Sequence, residues 1–271
     1  MDDADIALFD TKGATIEAKA RLAAPGIVIL AEDDDVLAVA KPAGMVTHPA
    51  YRHPDGTLTD AVFAYADQCG LARPWLLHRL DRETSGVVLF ARNERARRAL
   101  VRQIEQRRVT KRYLAVLAGT LPAAEDEITA PLCRDPADRR RVIVSLAGKP
   151  AITRYRLLAA RDGHALALVE PLTGRTHQIR AHLASLGAPV AGDATYGGAS
   201  EATRAAGIER TLLHAWELAF RLPATGKQQT ILAPLPPDMR AALAALRLAD
   251  ATTPERAGLL EPAWSDHVSG C

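Results

Sequence analysis

Short apolar runs of five to nine residues recur along the chain, each bounded by charged or turn-forming residues. Runs of this length are typical of β-strands. We expect strands at 27–31, 36–40, 86–91, 111–119, 164–170, 212–220 and 229–234. The first two strands flank the acidic turn 32–35 and therefore predict a hairpin. The apolar run 86–91 predicts a strand buried on both faces, whereas the alternation in 164–170 predicts a half-buried strand.

Apolar residues at helical spacing predict helices at 58–69, after Asn93, at 178–187 and at 236–250. Strands outnumber helices and follow one another in sequence. We therefore expect an α+β fold with a mixed, mostly antiparallel central sheet flanked by helices. Residues 1–25 are interpreted as an N-terminal arm, 26–250 as the main folded domain and 251–271 as a flexible C-terminal tail.

The charge of the chain is balanced but unevenly distributed. The 34 Lys and Arg and 32 Asp and Glu give a net charge of only +2. Nine basic residues nevertheless fall within 92–112, and four more arginines within 134–141. Such segregation can present a basic face to a polyanion. The alternative is a helix whose arginines are simply solvated.

Several functional classes are disfavoured by what the sequence lacks. Three widely spaced cysteines without a CxxC pair, and an acidic N-terminus, indicate a reducing cytoplasm. No apolar run approaches the roughly 20 residues of a membrane helix. Nucleotide-binding glycine loops and paired metal carboxylates are also missing, so we expect no cofactor and no metal. We also expect no membrane partner, and a monomer.

The stretch "HRLDRETSGVVLFAR" (78–92) holds the first candidate group, Asp81, between two arginines and directly before the apolar run. A carboxylate there is either a structural ion pair or a catalytic group at a pocket floor. From the residues alone both interpretations stay open.

The stretch "LTGRTHQIRAH" (172–182) holds the second candidate. A Gly174–Arg175–Thr176 turn at a helix N-terminus suits a phosphate, whereas the simpler interpretation is a capping threonine with surface arginines. His177 and His182 are five residues apart and do not share a helical face, so a zinc site is disfavoured.

Six ordered segments resemble the RluA-type pseudouridine synthases: residues 32–49, 78–92, 111–119, 171–183, 192–197 and 212–220. The resemblance implies the pseudouridine synthase fold, with a catalytic cleft across the sheet. It also implies an isomerase that converts uridine to pseudouridine in tRNA or rRNA without a cofactor. RNA is then the expected partner.

The resemblance also implies residue roles. Asp81 is the expected catalytic carboxylate, Arg175 its expected ion-pair partner, and Tyr113 an aromatic platform for uracil whose hydroxyl could assist proton removal from C5. Arg79 would fill the gap left by a flipped uridine. The further residues expected to bind RNA or assist base flipping are His78, Thr84, Lys41, His177 and Arg180.

Some questions stay open at this level. Only about 25 residues precede the first core strand, too few for the S4-type RNA-binding domain that many relatives carry. An RNA-binding factor without catalysis, and a hydrolase that uses Asp81 with His78, are alternative functions. Whether Asp81 attacks as a nucleophile or acts as a base at the sugar cannot be chosen from sequence.

Overall fold

The computed structural model describes residues 20–21, 26–50 and 53–249. The strands in this part of the chain are β1 (Ala20–Arg21), β2 (Val28–Glu32), β3 (Val36–Lys41), β4 (Trp75–Leu76), β5 (Ser85–Ala91), β6 (Thr110–Ala118), β7 (Glu125–Thr129), β8 (Leu132–Arg134), β9 (Val142–Val144), β10 (Ile152–Arg161), β11 (His164–Pro171), β12 (Leu213–Arg221) and β13 (Gln228–Leu232). The helices are α1 (Leu58–Gln68), α2 (Glu94–Glu105), α3 (Gln178–Ser185), α4 (Glu201–Ala205) and α5 (Pro237–Ala245).

Eleven of the described strands form one sheet, in the order β1-β2-β3-β5-β12-β6-β11-β10-β7, with β13 paired to β12 and β4 to β5. β8 and β9 form a separate hairpin. Among the described strand pairs, β5 and β12 run parallel and the others antiparallel. The predicted α+β class with a mixed, mostly antiparallel sheet is confirmed.

Alternation of side chains along the central strands gives the sheet two apolar faces. On one face, Leu114 and Val116 of β6 pack in a cluster that includes α5. On the other face, Ala115 and Leu117 pack with α3, and Tyr113 contacts both this cluster and the one beneath α1. Because neighbouring strand residues point to opposite faces, Tyr113 lies on the side of the sheet covered by α1 and α3.

Most predicted elements form at or near their predicted positions. The hairpin of β2 and β3 is confirmed, and every residue of β5 is buried. Asn93 caps α2 by accepting a hydrogen bond from the Ala96 amide at 2.8 Å. The half-buried prediction for 164–170 is wrong, because apolar clusters cover both faces of β11.

Six of the described strands were not predicted: β1, β4, β7, β8, β9 and β10. In β10, arginines alternate with buried residues, and their guanidinium groups pair with the acidic residues of β7. Arg154 lies 2.8 Å from Glu127, and Arg156 lies 2.5 Å from Glu125. The polar side chains therefore support strand pairing that an apolar pattern does not reveal.

The predicted terminal segments lie largely outside the described residues. Within the proposed N-terminal arm, Ala20–Arg21 forms β1, which pairs with β2. The tail 251–271 lies wholly outside the described part. No helix in the described part combines the length and apolar character needed to cross a membrane.

Candidate active site

A cavity of about 520 Å³ opens where the segment before β5, the start of β6 and the β11–α3 connection meet. Asp81 and Tyr113 line it, together with residues 170–180. These segments are distant in sequence, and the central strands bring them together.

The segment that carries Asp81 is fastened to the loop that follows β3. Lys41 Nζ donates to the carbonyl oxygens of Pro42, Met45 and Arg82 at 2.8, 2.7 and 3.0 Å. Thr47 Oγ1 donates to the Leu80 carbonyl oxygen at 2.8 Å. These bonds fix the backbone on both sides of Asp81.

The prediction that Lys41 contacts RNA is therefore corrected. Its side chain is 1% exposed, and its three ammonium hydrogens already have carbonyl acceptors. Burial lowers the pKa of Lys41 to about 7, although the charges of Glu83 and Asp81 oppose the shift. Lys41 instead holds the loop after β3 against the segment that carries Asp81.

Asp81 forms an ion pair with Arg180, whose Nη1 lies 3.1 Å from Asp81 Oδ2. The other edge of the same guanidinium binds Asp193 through Nε and Nη2, at 2.6 and 2.9 Å. Burial alone would lower the pKa of Arg180, but the two carboxylates outweigh it and raise the pKa. A permanently charged guanidinium thus faces an Asp81 side chain that is 23% exposed to the cavity.

The predicted Asp81–Arg175 ion pair is wrong. Arg175 is exposed at the cavity wall, and its Nε donates to the Pro150 carbonyl oxygen at 3.1 Å. The turn explains the difference: Gln178 Oε1 accepts from the Arg175 amide at 3.0 Å, and His177 adopts a left-handed conformation with φ 53°. The chain therefore reverses before α3, which directs Arg180 inward and leaves Arg175 at the rim.

The proposed threonine cap is also wrong. His177, not Thr176, occupies the N-cap position of α3, and no side chain caps the helix. The 174–176 turn is exposed beside the cavity, so its contact with a phosphate stays a prediction.

The prediction that Arg180 binds RNA is corrected, because this residue is only 9% exposed and is held by two carboxylates.

The two histidines of this segment, His177 and His182, lie in different surroundings. His177 Nε2 lies 3.8 Å from Asp81 Oδ2, and its Nδ1 lies 3.2 Å from Tyr196 Oη. Burial lowers the pKa of His177, against the opposing effect of Asp81. His182 is fully buried between Thr153 Oγ1 and a backbone carbonyl. Among the described residues no group of three His, Cys, Asp or Glu is placed to hold a metal ion.

Tyr113 lines the cavity, where burial and the charge of Asp81 raise its pKa, so the phenol keeps its proton at neutral pH. His78 Nε2 accepts a hydrogen bond from the Leu89 amide at 3.2 Å, and burial holds its pKa well below the usual value. His78 is thus committed to the backbone of β5 and does not form the pair with Asp81 that the hydrolase alternative needs.

The other predicted residues of the segment also border the cavity. Thr84 is 2% exposed, and its amide donates to the Asp81 carbonyl oxygen at 3.1 Å, closing the turn. Arg79 is exposed at the rim. Arg82 instead lies 3.5 Å from Glu83 and lines a different cavity.

Sequence reasoning missed four residues of the site: Asp193, Tyr196, Gln178 and Lys111. The first two belong to "GDATYG" (192–197), a segment already matched as a family element, which was the available signal. Lys111 lies two residues before Tyr113 and lines the same cavity, and burial lowers its pKa. Side chains two apart on a strand share a face, so this position could have been predicted.

The basic segment 92–112 is more neutralised than its composition indicates. Arg92 and Arg95 pair with Glu32 and Asp35 of the acidic turn, at 3.3 and 2.7 Å. Arg97 and Arg98 both pair with Glu94. Arg112 lies in β6 and pairs with Glu217 and Glu170. The arginines of this segment without an acidic partner among the described residues are Arg102, Arg107 and Arg108.

Comparison with known proteins identifies the family. Residues 35–185 match the family model described as RNA pseudouridylate synthase. The chain is 45% identical over 210 residues to an uncharacterized RNA pseudouridine synthase of Chloroflexus aurantiacus, an alignment that covers 76% of this chain and 65% of the relative. It is 41% identical over 229 residues to ribosomal large subunit pseudouridine synthase D of Xanthomonas campestris pv. campestris, covering 81% and 69%.

The fold has a solved counterpart in human RNA pseudouridylate synthase domain containing 4. The two structures superpose with a TM-score of 0.68 at 24% identity, over 81% of this chain and 92% of the human chain. This likeness supports the fold. The family match over residues 35–185 and the identity to the Xanthomonas relative show that the chain belongs to the RNA pseudouridylate synthases, the family of isomerases that its motifs resemble.

Proposed function

We propose that this protein isomerises a uridine of large-subunit ribosomal RNA to pseudouridine, with Asp81 as the catalytic carboxylate. The observation that carries the proposal is the Asp81–Arg180–Asp193 arrangement at the floor of the cavity. Burial disfavours a charged carboxylate and a neighbouring cation favours it. Arg180 thus places a guanidinium group beside the Asp81 carboxylate where the nucleotide would sit.

The reaction breaks the C1′–N1 bond, turns the uracil, and joins C5 to C1′. C5 loses its proton, and N1 ends as an N–H group, so atoms balance without a cofactor. The Asp81 carboxylate can attack the nucleotide as a nucleophile or remove a proton from the sugar. Arg180 serves either route, because both begin with the carboxylate.

The cavity wall offers groups to hold the detached uracil. Tyr113 presents a flat ring on which the base can stack. Since the raised pKa keeps the phenol protonated, its hydroxyl can donate a hydrogen bond to the base, and it can accept the C5 proton only after giving up its own. Lys111 adds a cationic donor for a uracil carbonyl oxygen or a phosphate.

A uridine within a stem or stacked loop must leave the stack to reach Asp81. Arg79 stands exposed at the rim and is placed to fill the gap or hold the displaced backbone. Arg107, which also lines the cavity, and Arg102 are suited to phosphate contacts because no described carboxylate neutralises them.

The choice of ribosomal RNA is supported by the Xanthomonas relative, a ribosomal large subunit pseudouridine synthase. The test is pseudouridine mapping of total rRNA and tRNA from cells with and without the gene, followed by complementation with wild type or Asp81→Asn. We expect one or more large-subunit sites to disappear and to return with wild type alone. Loss restricted to tRNA sites would refute the ribosomal target, and no loss would refute the activity.

Purified protein separates the alternatives. RNA labelled with tritium at C5 of uridine should release tritium without a change in RNA length. Asp81→Asn should retain RNA binding and release none. Free uracil or shortened RNA would support a hydrolase, and full biological function of Asp81→Asn would support a non-catalytic RNA factor.

A further inference from the structure

A second cavity, of about 240 Å³, lies on the other side of the segment that carries Asp81. Arg79 and Leu80 line both cavities. The rest of the second wall comes from the loop after β3, including His48 and His53, and from Arg82. The two cavities are thus divided by the thickness of one extended segment.

The polar side chains of this cavity suit an anion. Two guanidinium groups and two imidazoles line it, and no carboxylate is among the described residues of its wall. Arg82 donates through Nε to the Gly44 carbonyl oxygen at 3.0 Å and lies near the half-buried Glu83. Its two Nη atoms have no acceptor among the described residues. His48 Nδ1 is shielded from solvent and has no hydrogen-bond partner in the described chain.

The position of the cavity selects the kind of anion. Arg79 lines both cavities, so the backbone of a polymer whose flipped uridine fills the first cavity can reach the second by crossing this segment. Each linkage of that backbone carries one negative charge. We propose that the second cavity binds the phosphodiester group that flanks the target uridine, through Arg82 and His48. This inference rests on the proposed function and adds a subsite to it.

The wall of the second cavity is rigidly joined to the catalytic segment. Thr47 exchanges two hydrogen bonds with Leu80, at 2.8 and 3.2 Å, and the Gly44 amide donates to the Arg82 carbonyl oxygen at 2.9 Å. A phosphate held here therefore has a fixed position relative to Asp81. The subsite would set the register in which the RNA presents its uridine.

The test uses a hairpin RNA containing the mapped uridine, with a neutral methylphosphonate at the linkage before it, after it, or at neither. Tritium release is measured for wild type, Arg82→Gln, His48→Ala and the control Arg161→Gln, an exposed arginine at the end of β10. One of the two neutral linkages should raise the wild-type KM about tenfold, the value of a lost charged hydrogen bond. Arg82→Gln should raise KM similarly on normal RNA and respond little to that linkage.

A second readout is the salt dependence of binding. Arg82→Gln should reduce the slope of log K against log salt by about one unit, whereas Arg161→Gln should not. The inference is overturned if wild type and Arg82→Gln respond equally to each neutral linkage, or if the slope is unchanged. If mapping finds no target uridine, the proposed function is refuted, and this inference is refuted with it. That outcome is recognised because wild type then shows no turnover.

Discussion

Replacing Arg180 with alanine should separate the structural and catalytic parts of the Asp81 site. The change removes two hydrogen bonds to Asp193 and one to Asp81. Asp193 is 0% exposed, so its carboxylate would be left charged, buried and without a cation. Breaking a buried pair in this way costs about 3–5 kcal/mol, a large part of the roughly 5–15 kcal/mol that stabilises a typical protein.

The double variant Arg180→Ala/Asp193→Asn isolates that cost. An asparagine keeps an oxygen that can accept from the Thr195 and Tyr196 amides, at 3.0 and 3.3 Å, but carries no charge. We expect it to recover most of the lost free energy of unfolding. Neither variant should release tritium at a measurable rate, because Asp81 has lost its cation in both.

The assay is urea unfolding followed by tryptophan fluorescence, since Trp216 is 2% exposed in the folded protein. Tritium release is measured on the same preparations. Arg175→Ala is the matched control and should retain wild-type stability, because this arginine is exposed and bonds only one backbone carbonyl. The reasoning is refuted if the double variant is no more stable than Arg180→Ala, or if Arg180→Ala retains the wild-type rate.

Three further predictions follow from buried or crowded positions. Lys41 releases its proton near pH 7 when folded and near 10.5 when unfolded, so its contribution to stability is present above pH 10.5 and is lost as the pH falls to about 7. The unfolding free energy of wild type relative to Lys41→Met should therefore rise with pH across this window, and a flat difference would contradict the shift. Gly86→Ala should lower the free energy of unfolding by several kcal/mol, on the order of severe overpacking, because its Cβ would lie 2.2 Å from the Ala215 carbonyl oxygen. The control Gly163→Ala meets no atom within 4 Å and should cost about 1 kcal/mol, measured by urea unfolding. Lys111→Met should weaken RNA binding in anisotropy measurements without lowering stability, since it removes from the cavity wall an amine whose pKa is lowered by desolvation. Equal binding would exclude a substrate contact.

The proposed basic face changes in character once the ion pairs are known. Arg97 and Arg98 are held by Glu94, whereas Arg102 and Arg107 have no carboxylate partner among the described residues. From the sequence, all of these arginines are equally expected to contribute to the basic face. The folded arrangement indicates that only some of them are available to RNA phosphates.

The sequence alone was sufficient for the elements whose cause is local. β5 is an uninterrupted apolar run, Asn93 precedes an apolar stripe, and both formed as expected. The order of the motifs also identified the family, since a family is recognised by residue types at given spacings. β10 was missed because its arginines depend on acidic partners in another strand.

The partner of Asp81 was decided only by the tertiary structure. Arg175 and Arg180 both lie in the same matched motif, and the spacing does not distinguish them. The left-handed turn at His177 and the carboxylate of Asp193 direct Arg180 inward, to a residue 99 positions away in the chain. Lys41 likewise looks like a surface cation in sequence, and the fold buries it among carbonyl oxygens. The sequence gives the type of each charged residue. Its ion-pair partner depends on which distant groups share its low-dielectric surroundings, and only the packing of the folded chain determines which groups these are.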